Sequence, residues 1–227
     1  VGVCAYRGLK AGSVLPCIEE AKRRDMEIII LNPNHPNSSY GHSQKVFREM
    51  IIPSNPQRVW IIAHSMGGYS TCQIISENPK WSIDHIQSFA LTDGCEIRVK
   101  ARGFKINLWS HLKGINWIRS NLPINSPLTD GSSTKHRSAE TNDHPLTTFK
   151  AFPYIWQFFD ENGANNESSP TLDEDFVGDE FNFSFTFCCH FIFCIKIKNC
   201  LNNLNFSYLQ TIRISKTSNS LIIIQCS

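Results

Sequence analysis

Ser65 sits in the run Ala63-His64-Ser65-Met66-Gly67-Gly68, directly after the apolar stretch Val59-Trp60-Ile61-Ile62. A strand that ends in small residues, then x-Ser-x-Gly, then a helix, is the arrangement that exposes a nucleophilic serine on a sharp turn. Crowding at such a turn demands small neighbours, and Ala63, Gly67 and Gly68 supply them. The serine oxygen then stands at the carboxyl edge of a sheet, where the N-terminus of the following helix offers partial positive charge to a developing oxyanion. The chemistry implied is acyl transfer, with a strained Ser65 backbone at positive φ. A buried strand followed by Gly-Gly could equally make a tight turn without chemistry.

A serine hydroxyl needs a base, and the base needs an orienting acid, in the chain order Ser, Asp or Glu, His on this type of sheet. Asp93 follows the next apolar run, Ser88-Phe89-Ala90-Leu91, and therefore projects from the same sheet edge. His144 lies in a late loop, Thr141-Asn142-Asp143-His144-Pro145, ahead of an aromatic helix. Asp143 is a weaker acid candidate because adjacent residues rarely face one another. Asp93 could instead be a turn-forming Asp-Gly residue, and His144 a solvent-facing loop residue. The oxyanion hole would draw on the backbone N–H of Met66 and on one from a loop near Arg7, Gly8 or Leu9, with Leu9 preferred.

The elements that must position these groups follow an alternation of short apolar runs and amphipathic stretches, the pattern of βα units on a mainly parallel sheet. Val1–Tyr6 is expected as a first strand, with a glycine-bearing loop leading to a helix over Val14–Arg24. Met26–Leu31 is expected as a second strand, ended by Asn32-Pro33-Asn34, and a short helix over Gln44–Ile52 follows. Val59–Ala63, Ser88–Leu91 and Ile115–Ile118 make further strands, and Pro145–Phe159 a terminal helix. The expected fold class is α/β, an α/β-hydrolase-like mainly parallel sheet with flanking helices.

The 227 residues suit one substantial domain with a tail. With 22 Lys+Arg against 20 Asp+Glu, the net charge of +2 gives no field that argues for nucleic acid or a membrane surface. Nine cysteines are present, an odd count; Cys4, Cys17, Cys72 and Cys95 read as core residues, and a reducing compartment is expected. No cofactor is called for. Cys188-Cys189-His190 with Cys194 does not match a metal-site spacing, so no metal is expected either. The chain opens in an apolar run, which is expected to be mid-strand in an N-terminally truncated fragment.

The domain is expected over residues 1–160. From Asp160 the composition turns to Asn, acidic residues and Ser through Glu180, an acidic linker expected to be disordered over 161–180. Residues 181–227 read as an unusual low-complexity tail rich in Phe, Asn, Ile and Cys, with the character of a non-native translation, and are expected to lack order. The run Phe181–Ile197 falls just short of the roughly 20 apolar residues that span a bilayer, so a tail anchor is the alternative.

More than the serine motif is recognisable. Gly8-Leu9 with Gly12-Ser13 and Pro16, Asn32-Pro33-Asn34, Gly41-His42-Ser43, Ala63–Gly68, Ala90-Leu91-Thr92-Asp93, Asp143-His144, Leu146-Thr147-Thr148 and Phe149-Lys150-Ala151-Phe152-Pro153 occur in order. This succession, over about residues 1–160, resembles the Arb-two domain family of Argonaute-binding and animal cotranscriptional regulatory proteins. The resemblance implies an α/β-hydrolase-like fold, a nuclear or nucleo-cytoplasmic location, and protein contacts in Argonaute-linked silencing, heterochromatin or alternative splicing. It also implies a serine nucleophile at Ser65. Two functions stay open: a regulatory binding protein on a hydrolase scaffold, and a serine esterase using Ser65, Asp93 and His144.

Overall fold

A computed structural model describes residues 2–31, 41–95, 112–129, 135–163 and 220–225. Their strands are β1 (Glu27–Ile30), β2 (Arg58–His64), β3 (Ile86–Thr92), β4 (Lys113–Ile118), β5 (Pro127–Leu128), β6 (Lys135–Ser138) and β7 (Ser220–Gln225). They form one seven-stranded sheet in the order β1-β7-β2-β3-β4-β6-β5. Every pairing is parallel except that of β5 with β6. The fold is thus mixed α/β with a mostly parallel sheet, as the alternation of apolar and amphipathic runs predicts.

All seven residues of β3 are buried, and so are Val59–His64 of β2. Continuous burial means that both faces of the sheet are covered here. The helices are α1 (Gly2–Gly12), α2 (Leu15–Arg23), α3 (Gly41–Val46), α4 (Ile52–Ser54), α5 (Met66–Glu77), α6 (Pro79–His85) and α7 (Thr147–Gly163). A π-helical turn at Phe47–Ile51 joins α3 to α4. α5 ends at Glu77 with Asn78 out of helical conformation, and Pro79 opens α6, where its fixed φ and missing N–H suit the first turn. The core runs from Ile28–Leu31 through Trp60–Ala63 and Phe89–Leu91 to Trp117, Ile155 and Phe159. Gly114 is required by this packing, since a Cβ there would fall 2.1 Å from the Phe89 ring on the neighbouring strand.

Two expectations are corrected. Val1–Tyr6 is not a strand: residues 2–12 are helical, folded back on themselves at Gly8 (φ 78, ψ 171). A Cβ on Gly12 would lie 2.3 Å from the Cys4 backbone nitrogen, and Cys4 Sγ reaches the Gly12 carbonyl at 2.7 Å. A short apolar run does not by itself distinguish helix from strand, and here the place beside β2 is taken by β7. The second correction is β7 itself. Residues 220–225, assigned by composition to a tail outside the domain, lie inside the sheet with Ile222 and Ile223 fully buried. The Asn32-Pro33-Asn34 turn, most of the 161–180 linker, the Phe181–Ile197 run and the late Cys/His cluster lie outside the described residues.

Candidate active site

Parallel strands present their carboxyl ends along one edge, and the predicted chemistry collects there. Ser65 occupies the single turn between β2 and α5 at φ 53, ψ −124, and Asp93, just past β3, has φ 46. Positive φ in residues with a Cβ is strained, and such positions cluster at functional sites. Backbone hydrogen bonds hold both turns in place. Ser65 N–H donates to the Thr92 carbonyl (3.2 Å), Asp93 N–H to the Trp117 carbonyl (2.8 Å), and Cys95 N–H to the Ser65 carbonyl (2.9 Å). The last contact brings the loop after β3 against the start of α5 so closely that a Cβ on Gly68 would meet the Cys95 oxygen and Gly94 Cα at 3.0 Å. Gly68 is therefore a requirement of close approach, beyond its role in the turn.

Asp93 and His144 are in direct contact: His144 Nδ1 lies 2.5 Å from Asp93 Oδ2. The same carboxylate oxygen pairs with Arg119 Nε at 2.5 Å, while the Arg119 amide lies 3.5 Å from Oδ1. Asp93 is mostly buried and His144 is partly open to solvent. With Nδ1 committed to Asp93, the other ring nitrogen of His144 is the one left for proton exchange with a reacting group. Asp143, the weaker acid candidate, precedes the 3-10 turn His144–Leu146 and accepts from Leu146 N–H through its backbone carbonyl (3.0 Å), and the carboxylate that meets His144 is that of Asp93.

His64, beside Ser65, lies under His144, the two rings 4.5 Å apart between centroids and inclined by 34°. It is 4% exposed, and its Nδ1 is 2.7 Å from the Thr92 carbonyl. A carbonyl can only accept, so Nδ1 carries the proton and donates. Burial first, and then the neighbouring His144, push the His64 pKa down to about 4, against the opposing pull of the Thr92 carbonyl and Asp93. His64 is consequently a neutral packing surface for His144 at neutral pH. Thr92 Oγ1 is also bonded to Thr148 Oγ1 (2.6 Å), and Thr147 Oγ1 donates to the His144 carbonyl (2.9 Å), tying the start of α7 to the end of β3.

Ser65 itself is buried, at 4% exposure. Met66 begins α5, where the first amides of a helix have no carbonyl of their own helix to bond. Leu9 departs from its premise: it lies in the helical segment after the Gly8 kink, not in a loop after a strand, and its side chain is exposed. Among the described residues no cluster of His, Cys, Asp and Glu could hold a metal. Cys17 and Cys72 are buried as predicted, whereas Cys4 is partly exposed and Cys95 is exposed.

Two contributors were missed by the sequence motifs. Arg119 carries no local pattern that marks it as the partner of a residue 26 positions earlier. Asn116 did leave a signal, a polar residue within the apolar run Gly114–Ile118. It is 1% exposed, accepts from Gly94 N–H (3.1 Å) and donates to the Gly94 carbonyl (3.0 Å). This pair of bonds pins the loop that carries Asp93.

Residues 34–124 match the Arb2 domain family, a stretch that contains Ser65, Asp93, Asn116 and Arg119. That stretch is similar to Arb2 domains. It is similar to the cotranscriptional regulator ARB2A of Homo sapiens, 27% identical over 149 residues, which cover 65% of this chain and 36% of that protein. The ARB2A homologue of Gallus gallus is 26% identical over 144 residues, 63% of this chain and 34% of the relative. That of Dictyostelium discoideum is 23% identical, over 56% of this chain and 44% of the relative. The chain thus spans little more than a third of the length of the curated animal relatives it matches. No solved structure matches it. His144 lies beyond the matched part of the Arb2 domain, so its place beside Asp93 comes from the structure alone.

Proposed function

We propose that this chain acts as a nuclear regulatory protein of the Arb2 family, through protein contacts on a hydrolase-like scaffold. The observation that carries this reading is its similarity to proteins named cotranscriptional regulator ARB2A across animals and Dictyostelium. The burial of Ser65 supports it, since a scaffold does not need its serine open to substrate. The partners this reading names are Argonaute, chromatin and splicing proteins, with the nucleus as the main location and the cytoplasm as a second one. Among the described residues no helix is long and apolar enough to cross a membrane, in keeping with partners met away from a bilayer.

A second reading, a serine hydrolase, has its own support in the contact between Asp93 and His144 at the sheet edge that carries Ser65. There, His144 would take the Ser65 proton as the oxygen attacks an acyl carbon, and Asp93 would orient the ring. One substitution separates the readings. Ser65→Ala removes one oxygen from a turn that alanine tolerates, so a scaffold keeps its partners and an esterase loses all turnover. The expected result is little hydrolysis of short-chain esters by the unaltered protein and undiminished co-precipitation of Argonaute or chromatin proteins by Ser65→Ala. Robust hydrolysis that disappears in Ser65→Ala would establish the enzyme instead.

A further inference from the structure

We propose that the gap between β1 and β2 is a strand-acceptor slot, and that residues 220–225 are a separable ligand which the chain supplies to it from a distant part of its own sequence. β1 and β2 do not pair with each other. β7 runs parallel to both, with Glu27–Ile30 opposite Leu221–Ile224 on one side and Arg58–Ala63 opposite Ser220–Gln225 on the other. Among the described residues β7 is the only strand that pairs with β1, so the edge of the sheet is attached through a segment that begins 57 positions after the end of α7.

The slot has the two properties that peptide recognition by strand addition requires. Backbone ladders on both sides supply the affinity, and buried places for successive side chains supply the selectivity. Ile222 and Ile223 are neighbours, so they point to opposite faces of the sheet, and they are 0% and 1% exposed. An occupant must therefore be extended, run parallel to β2, and bring an apolar β-branched residue to each face. Because slot and segment belong to one chain, filling the slot is an intramolecular event, so even modest affinity of the segment alone keeps it filled. The acceptor chemistry is thus open to any extended peptide of the same pattern, with Ser220–Gln225 as the resident one.

The test uses the full chain with one protease site inserted between Lys198 and Asn199. After cleavage the two pieces are run together on a sizing column, with and without a hundredfold excess of fluorescent peptide carrying Ser220–Gln225 between solubilising lysines. The C-terminal piece is expected to stay with the body, and the labelled peptide to replace it, either in the native state or on refolding from urea. A peptide with Asp at the Ile222 and Ile223 positions should enter at least tenfold less. Release of the piece with a fall in the melting midpoint that the peptide restores also supports the slot. Release with the midpoint unchanged, a fall that the peptide does not reverse, or retention with no label taken up even on refolding would each overturn it.

Discussion

The rings of His64 and His144 pack 4.5 Å apart, so the residue before Ser65 forms the floor beneath the histidine that Asp93 orients. The buried His64 ring is neutral, which gives it an acid sensitivity of definite sign.

The His64 pKa falls from its ordinary 6.5 to about 4 in the folded chain. The unfolded chain therefore binds the extra proton first. This contribution leaves stability unaffected above about pH 6.5, erodes it as pH falls toward 4, and changes no further below that. The shift amounts to on the order of 3 kcal/mol. Urea unfolding at pH 7 and pH 4 should show a larger acid loss for the native chain than for His64→Asn. Equal losses would mean that His64 does not titrate in this window.

Asp93 serves His144 and the turn at once. Whatever rate Ser65 shows toward a fluorophosphonate probe, Asp93→Asn should lower it at least about tenfold, because the ring loses its orienting charge. His144→Ala should lower it as far, and Ser65→Ala should abolish labelling. Labelling indifferent to both Asp93→Asn and His144→Ala would show that the contact serves structure alone.

The loop bearing Asp93 is held from two sides, and each should register in stability. Asn116→Ala strands the Gly94 backbone groups and is expected to cost about 1–3 kcal/mol. Gly68→Ala drives a methyl against the Cys95 carbonyl and Gly94, at a similar cost of about 1–3 kcal/mol through forced backbone shifts. Thermal melts of the two variants against the native chain check both. A Gly68→Ala protein as stable as its parent would mean that this approach relaxes freely.

Arg24 links the two ends of the described domain. Its guanidinium lies 4.7 Å from the Trp156 ring centroid, its Nε is 2.6 Å from Glu20, and it pairs with Asp160 at the end of α7. Arg24→Met keeps much of the aliphatic stem but loses the charge. The expected loss is about 1 kcal/mol, smaller in high salt, readable as a salt-dependent difference in the urea midpoint.

Legibility in the sequence followed the range of the interactions involved. β2, α5, β3 and α7 could be read because their own residues carry the period that buries them. Ser65 and Asp93 could be read because a parallel sheet aligns the ends of its strands. Arg119 was invisible because nothing around it announces a carboxylate on the next strand. Val1–Tyr6 reads as a strand because six residues are too few to separate the two periods. Leu221–Ile224 has the composition of a buried strand, but its partners lie more than 150 residues earlier and its surroundings resemble no domain.

β7 also sets a schedule for making the protein. β1 and β2 leave the ribosome early, yet the strand between them is synthesised roughly ten to thirty seconds later at about 5–20 residues per second. Until then two strands of unsatisfied backbone, one of them Glu-Ile-Ile-Ile, stand open to any other edge in the cell. The yield of native protein in translation should therefore depend on chaperones that shield this gap, and slow synthesis of residues after Gly163 should favour aggregates over folded chains.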